Sequence, residues 1–194
     1  MPDSQRGETA LDRFIADCRV IAEARPDPAD IVVAIAPLMK GLLGGDKAFL
    51  RAEHFRSNPD HYTRNAIYIA DDESLSLYAL VWLPGQWTPV HDHGSWGVVG
   101  VVQGVLEERG FMSADGEIRR DSGIRLKRGG VILLDHGSVT TFVPNPDHIH
   151  MTGVAPERAR VVSLHLYGRN MNSFHVYDVA AGTRRLIDVP HQKS

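Results

Sequence analysis

Residues 85–104 read Gly85-Gln-Trp-Thr-Pro-Val-His91-Asp-His93-Gly-Ser-Trp-Gly97-Val-Val-Gly-Val-Val-Gln-Gly104, and this stretch decides how the rest of the chain is read. In an extended segment residues two apart point to the same face, so His91 and His93 aim their imidazoles at one point. Pro84-Gly85 before the pair and Gly94 after it are turn residues, which puts the pair at the end of a strand. Imidazole is a ligand for iron, zinc, copper and nickel, and two of them on one strand are preorganised. A His-x-His pair taken alone also fits exposed or hydrogen-bonded polar residues, so its surroundings must decide.

Outward from this stretch the chain consists of short runs rich in Val, Ile, Leu and Tyr. These are Ala66–Ala70, Leu75–Leu83, Gly97–Met112, Glu117–Lys127, Val131–Leu134, Val139–Val143, His150–Val154, Arg160–Tyr167, Phe174–Tyr177 and Arg185–Val189. Asp-Asp, Pro-Gly, Asp-Gly, Gly-Gly and Pro-Asn-Pro turn signals separate them. About ten closely spaced strands with no helical period between them predict an all-β sandwich or barrel.

Before Pro59 the period changes. Leu11, Phe14, Ile15, Cys18 and Ile21 follow the three-and-four spacing of an amphipathic helix, which Pro26 and Pro28 interrupt. Asp27 caps a second helix that begins with Pro28, runs through Ile31–Leu43 and stops at Gly44-Gly45. A third short helix is expected around Lys47–Phe55. With no repeat, linker or low-complexity stretch, residues 1–194 are expected to form a single domain, 1–58 a helical cap and 59–194 the β-barrel.

Composition narrows the function. The chain has 194 residues, enough for one full-sized domain, with 43% hydrophobic and 23% charged residues, as in ordinary globular proteins. A net charge of −3 without a basic run leaves no field for holding nucleic acid. Cys18 is the only cysteine, so an intramolecular disulfide and a cysteine zinc cage are both excluded, and its place on the apolar helix face reads as core. Met1–Thr9 is polar and lacks the apolar region of a signal peptide. Val98–Val102 and Val131–Leu134 are far too short to span a membrane. The expectation is a cytoplasmic, reduced protein, a monomer or small homo-oligomer with no nucleic-acid or membrane partner.

The spacing Gly85-x5-His91-x-His93-x3-Gly97-x6-Gly104 resembles the first motif of the cupins, except that Gly97 stands where most cupins have a glutamate ligand. A third histidine would then leave the metal facing three neutral imidazoles, with full positive charge and open positions for an anion such as a thiolate. Candidates downstream are His136, His148, His150, His165 and His175. The second cupin motif is poorly kept, with Asn145 and Asp147 where proline and glycine are expected. Spacing alone does not separate His148 from His150, since both would share a strand face.

Over Tyr62 to Asp178 the sequence resembles the cysteine dioxygenase family of thiol dioxygenases, which are cupins. Tyr62-Thr-Arg64-Asn is similar to a family segment whose arginine binds the substrate carboxylate. Trp82 lies nine residues before His91, as the family's tryptophan does, and His91-Asp-His93 with Gln103-Gly104 matches the metal strand. Ser163-Leu-His165-Leu-Tyr167 matches a Ser-x-His-x-Tyr relay. The family's third ligand lies thirteen residues before the relay serine, which is His150 here. His148 then becomes a rim residue.

The resemblance implies a cupin double-stranded β-helix, a jelly-roll barrel with the N-terminal helices as its cap. It implies Fe(II) held by His91, His93 and His150, with a small thiol and O2 as substrates and a sulfinic acid as product. Arg64 would grip the carboxylate through its planar fork, and Tyr62 and Trp82 would lie at the substrate, Trp82 as a cavity wall. Tyr167 would donate a hydrogen bond to bound oxygen or substrate, oriented by Ser163 and His165. Mammalian members carry a cysteine at the Gly97 position, cross-linked to the relay tyrosine; with glycine there, as in many bacterial members, Tyr167 is expected to be a free phenol.

Arg64 points to cysteine, since relatives with glutamine at its position prefer 3-mercaptopropionate. The Trp96-Gly-Val-Val-Gly100 strand looks more like the bacterial mercapto-acid enzymes. Mercaptosuccinate, with Arg160 or Arg169 contributing, is a further alternative. Two readings of other kinds are a non-catalytic cupin binding module and a cupin dioxygenase that cleaves carbon–carbon bonds. Trp87 and Trp96 are expected in walls and core, and His54, His61 and His191, outside the motifs, are expected to be exposed.

Overall fold

A computed structural model describes residues 9–144 and 148–189. Helix α1 (Ala10–Ala24) starts at Thr9, whose hydroxyl accepts from Asp12 N–H while the Asp12 carboxylate accepts from Thr9 N–H, a reciprocal capping box. Helix α2 (Pro28–Gly44) starts as expected, with Asp27 Oδ1 accepting from Ala29 N–H at 2.9 Å. Of the third expected helix only a 3-10 turn, Ala52–Phe55, forms. No helix among the described residues is long and apolar enough to cross a membrane.

Eleven strands follow: β1 (Thr63–Ile69), β2 (Ser76–Trp82), β3 (Val90–His91), β4 (Gly97–Gln103), β5 (Leu106–Ser113), β6 (Leu126–Leu134), β7 (Val139–Phe142), β8 (Ile149–Gly153), β9 (Val161–Tyr167), β10 (Ser173–Asp178) and β11 (Thr183–Asp188). They form two antiparallel sheets, β1-β2-β9-β4-β7 and β11-β10-β3-β8-β5-β6. This is the cupin double-stranded β-helix with helices at its N-terminus.

The five-stranded sheet is covered on both faces, which is why β2, β4 and β9 read as nearly unbroken apolar runs. On β2, Leu77, Ala79 and Val81 join the core beneath α1 and α2, with Ile35, Met39 and Leu43 from α2. Tyr78, Leu80 and Trp82, alternating with them, face the barrel interior with Val99, Phe142, Tyr167 and Phe174. Helix α2 lies so close to β4 that a Cβ on Gly100 would sit 2.8 Å from Leu43 Cδ1.

Four expectations need correction. Gly97–Met112 is not one strand: it breaks at Gly104, where φ is +80° and a Cβ would meet the Arg160 carbonyl at 2.7 Å, and the chain passes there from one sheet to the other. Glu117–Lys127 is turns and bends as far as Arg125, with strand only from Leu126. Ile118 and Ile124 are too widely separated for the two-residue apolar period of a strand, although Ile124 is buried with Ile118 and Leu126 packed against it, and Arg125 closes the excursion by pairing with Asp115. Strand β3 was not foreseen as a separate two-residue element. His54 is buried, 2% exposed, because the 3-10 turn packs on β1: Arg51 N–H donates to its Nδ1 at 3.1 Å and Asn65 Nδ2 donates to its carbonyl at 3.2 Å. His61 is exposed as expected, and His191, Asn145 and Asp147 lie outside the described residues.

Candidate metal centre

His91 ends β3 and stands directly opposite His150 of β8. His93 follows two residues later, just past the strand, and the three ring centroids are 4.7–4.8 Å apart. Their ligand atoms lie within 4.8 Å of one another, and all three residues are buried. Asp92, between the first two, turns the other way. Its carboxylate accepts from the Tyr177 hydroxyl at 2.8 Å and from the His175 backbone N–H at 3.1 Å, which ties the ligand loop to β10.

The donor set suits a metal ion. Burial holds His91 and His93 well below the usual imidazole range, with neighbouring histidines adding to the effect, so both are neutral near pH 7. Burial also lowers His150, against the opposing pull of Glu108. His91 Nδ1 lies 3.0 Å from the Pro89 carbonyl, which can only accept, so Nδ1 carries the proton and Nε2 keeps its lone pair. His93 Nδ1 is buried without a hydrogen-bond partner among the described residues. Three neutral, dry imidazoles converging on one point are poorly placed for one another and well placed for a cation.

The other candidate histidines lie elsewhere. His136 Nδ1 is 2.7 Å from the Val102 carbonyl, and His175 Nδ1 faces Asp92 at 3.1 Å. His148 precedes β8 rather than lying on it, and its Nε2 donates to Glu108 Oε1 at 2.9 Å.

On β9, Ser163, His165 and Tyr167 alternate onto the interior face. Ser163 Oγ is 2.9 Å from His165 Nε2, and His165 Nδ1 is 3.2 Å from the Tyr167 hydroxyl. Trp82 Nε1, which can only donate, reaches Ser163 Oγ at 3.1 Å. Donor counting then assigns a direction: Trp82 donates to Ser163, Ser163 to His165 Nε2, and His165 Nδ1–H to the Tyr167 oxygen. The phenol proton is left for the cavity. Burial pushes His165 down to about 3 and Tyr167 up, so the imidazole stays neutral and the phenol protonated.

Arg64, on β1, is 7% exposed. Its Nη2 donates to the Met171 carbonyl and its guanidinium lies 4.8 Å over the Tyr78 ring. Its Nη1 is buried with no hydrogen-bond partner among the described residues. Arg64, His91, His93, His150, His165 and Tyr167 line one small cavity. Tyr62 lines it too, stacked on Trp82 with centroids 4.7 Å apart. Trp82 is not among the lining residues; it is fully buried behind Tyr62 and Ser163.

Leu80, Thr88, Thr152, Met171 and Phe174 complete the lining and were not foreseen. Leu80 and Thr152 could have been proposed from strand alternation; Met171 and Phe174 carry no such signal. Arg160 and Arg169 do not line the cavity.

A family model described as cysteine dioxygenase type I matches residues 51–180. Among solved structures, a Klebsiella pneumoniae protein with a double-stranded β-helix domain is similar at 18% identity, covering 69% of this chain and 99% of that one, TM-score 0.46. A cupin-like protein from Thermotoga maritima has 17% identity over 74% of this chain and 90% of its own, TM-score 0.40. A Thermus thermophilus protein has 18% identity over 59% and 89%, TM-score 0.43.

Proposed function

Because the chain belongs to the cysteine dioxygenase type I family, we propose that it is a mononuclear iron enzyme that oxidises a small thiol bearing one carboxylate, cysteine first among them. The observation that carries this reading is the meeting of two features in one small cavity. Three neutral imidazoles converge as the ligands of a cation do, and one arm of the buried Arg64 has no acceptor among the described residues.

Fe(II) held by His91, His93 and His150 would favour the thiolate and activate dioxygen, so that RSH and O2 give RSO2H with both oxygen atoms on sulfur. Arg64 binds the carboxylate through charge-assisted hydrogen bonds, and its cation is held ready by the Met171 carbonyl and the Tyr78 ring. Tyr62 walls the carboxylate end. Tyr167 offers its phenol proton to the bound reactants, because His165 already fills one of its oxygen lone pairs. Ser163 and Trp82 hold that imidazole in the tautomer the relay requires.

A second thiol has an observation in its favour. Among the described residues no carboxylate lines the cavity to receive a substrate ammonium, so 3-mercaptopropionate, which has none, is the next candidate. Mercaptosuccinate is disfavoured, since Arg64 is the one arginine or lysine among the lining residues.

Oxygen uptake against a panel of thiols, with metal analysis of the purified protein, tests the reading. Arg64→Ala is expected to raise KM for cysteine about 10–100-fold, one charged hydrogen bond of roughly 1.5–3 kcal/mol, with metal content unchanged. Loss of metal to the same extent as loss of substrate affinity would sink the assignment of Arg64.

A further inference from the structure

Among the described residues Glu108, on β5, is the one carboxylate within 4 Å of a ring nitrogen of the histidine triad. It is 4% exposed. The β5–β8 register puts Thr152 opposite it and His150 on the diagonal, two residues along. Its Oε1 accepts from His148 Nε2 at 2.9 Å and lies 3.5 Å from His150 Nδ1, while His148 Nε2 is itself 3.2 Å from His150 Nδ1, so the carboxylate and the two rings form one cluster.

The three triad members therefore differ behind the ring. His91 has a neutral carbonyl on Nδ1, His93 has no partner there among the described residues, and His150 has the Glu108 carboxylate at 3.5 Å beside the His148 ring at 3.2 Å. A buried carboxylate is costly unless it is paired and hydrogen-bonded, and this one has the His148 donor at 2.9 Å and a triad histidine 3.5 Å away. In most cupins the anion of the site is a glutamate ligand at the position of Gly97. Here the ligand set is neutral and the negative charge stands one residue further out.

We propose that Glu108 is a positioning residue of the metal centre: it fixes His150 with Nε2 toward the ion and supplies, through that ring, the negative charge that Gly97 cannot. This rests on the metal reading above. Such a carboxylate makes its imidazole a stronger donor, which tightens metal binding and favours the higher oxidation state. His148 touches both partners, with its Nε2 2.9 Å from Glu108 Oε1 and 3.2 Å from His150 Nδ1.

Glu108→Gln keeps the size and an acceptor oxygen but removes the charge. In the full chain, under anaerobic conditions, Fe(II) and Co(II) affinity is measured by chelator competition, and the Fe(III)/Fe(II) potential of the iron-loaded protein by redox titration. The expected result is a loss of affinity of about 10–100-fold and a rise in potential. Glu108→Asp, which keeps the charge, is expected to lie nearer the wild type in both, and it carries the test if the glutamine variant does not fold. If wild type binds tightly and the charge-removing variant matches it in affinity and potential, the role of Glu108 is overturned while the metal reading stands. If wild type and His91→Ala bind Fe(II) equally weakly, the metal reading itself fails and takes this proposal with it.

Discussion

A methyl group placed on Gly97 should damage both the fold and the metal centre, because the space beside its Cα is already filled by Phe142. The two residues face each other across β4 and β7. A Cβ on Gly97 would lie 2.2 Å from Phe142 Cζ, 2.6 Å from Cε2 and 2.8 Å from Cε1. Carbon atoms in contact sit at about 3.5–4.0 Å, so the ring would have to move by more than about 1 Å. It has little room to do so. Phe142 is 5% exposed, stacked on the His93 ring at 4.1 Å and 23°, with His148 at 5.3 Å and Tyr167 at 6.1 Å.

Overpacking of this kind costs about 1–3 kcal/mol, and a boxed ring puts Gly97→Ala near 3 kcal/mol. For a chain of this size that lowers Tm by roughly 6–12 °C. Phe142→Leu alone should cost about 1.5 kcal/mol, so additivity would put the double variant near 4.5 kcal/mol. Because the leucine vacates the space that the methyl needs, the double variant should recover at least about 1.5 kcal/mol of that sum. Urea unfolding of the metal-free protein measures all four corners of the cycle. Additivity within about 0.5 kcal/mol would refute the reasoning, since it would mean that the methyl never meets the ring. Gly97→Cys, the residue of mammalian members, faces the same obstacle, so it should yield no thioether to Tyr167 while Phe142 is present.

Acid should weaken the metal-free fold through His165, whose folded value of about 3 lies below the ordinary 6.5. Its contribution is intact above pH 6.5 and lost as pH falls toward 3, the loss reaching roughly 2–3 kcal/mol by pH 4.5, so His165→Gln should show a visibly shallower decline in urea midpoint between pH 7 and 4.5. Fe(II) at a hundred times its Kd should stabilise the wild type by about 2.7 kcal/mol, an effect that His150→Ala abolishes and His148→Ala largely retains in thermal scans. If His148→Ala were the variant that lost it, the ligand assignment would be reversed. Tyr167→Phe should slow turnover more than it raises KM, with metal affinity unchanged, as measured by oxygen uptake and chelator competition.

Much of this was legible in the residues because it depends on local geometry. The two-residue period of β2 and β9 separates the faces of each strand, and Asp27-Pro28 marks a helix start whatever the rest of the chain does. His91 and His93 converge because only one residue separates them. Gly104 was legible as a motif position but not as the point where the chain changes sheets, which depends on how closely Arg160 and Val161 approach it.

Other features depend on pairing between distant segments, which no local pattern encodes. His150 joins the triad because β8 aligns with β3 in one register, whereas the sequence separated it from His148 only through a resemblance to relatives. The β5–β8 register brings Glu108 behind His150, and the pairing of β7 with β4 puts Phe142 where a Gly97 side chain would go. Met171 and Phe174 reach the cavity from beyond β9, and Trp82 turns out to hold Ser163 from behind rather than line the space. The chain by itself determined the strand faces and the His91–His93 pair, because backbone dihedrals and side-chain period are properties of neighbours. The third ligand's partner, the anion behind it and the shape of the cavity were decided only when the two sheets closed, because register and packing are properties of the whole fold.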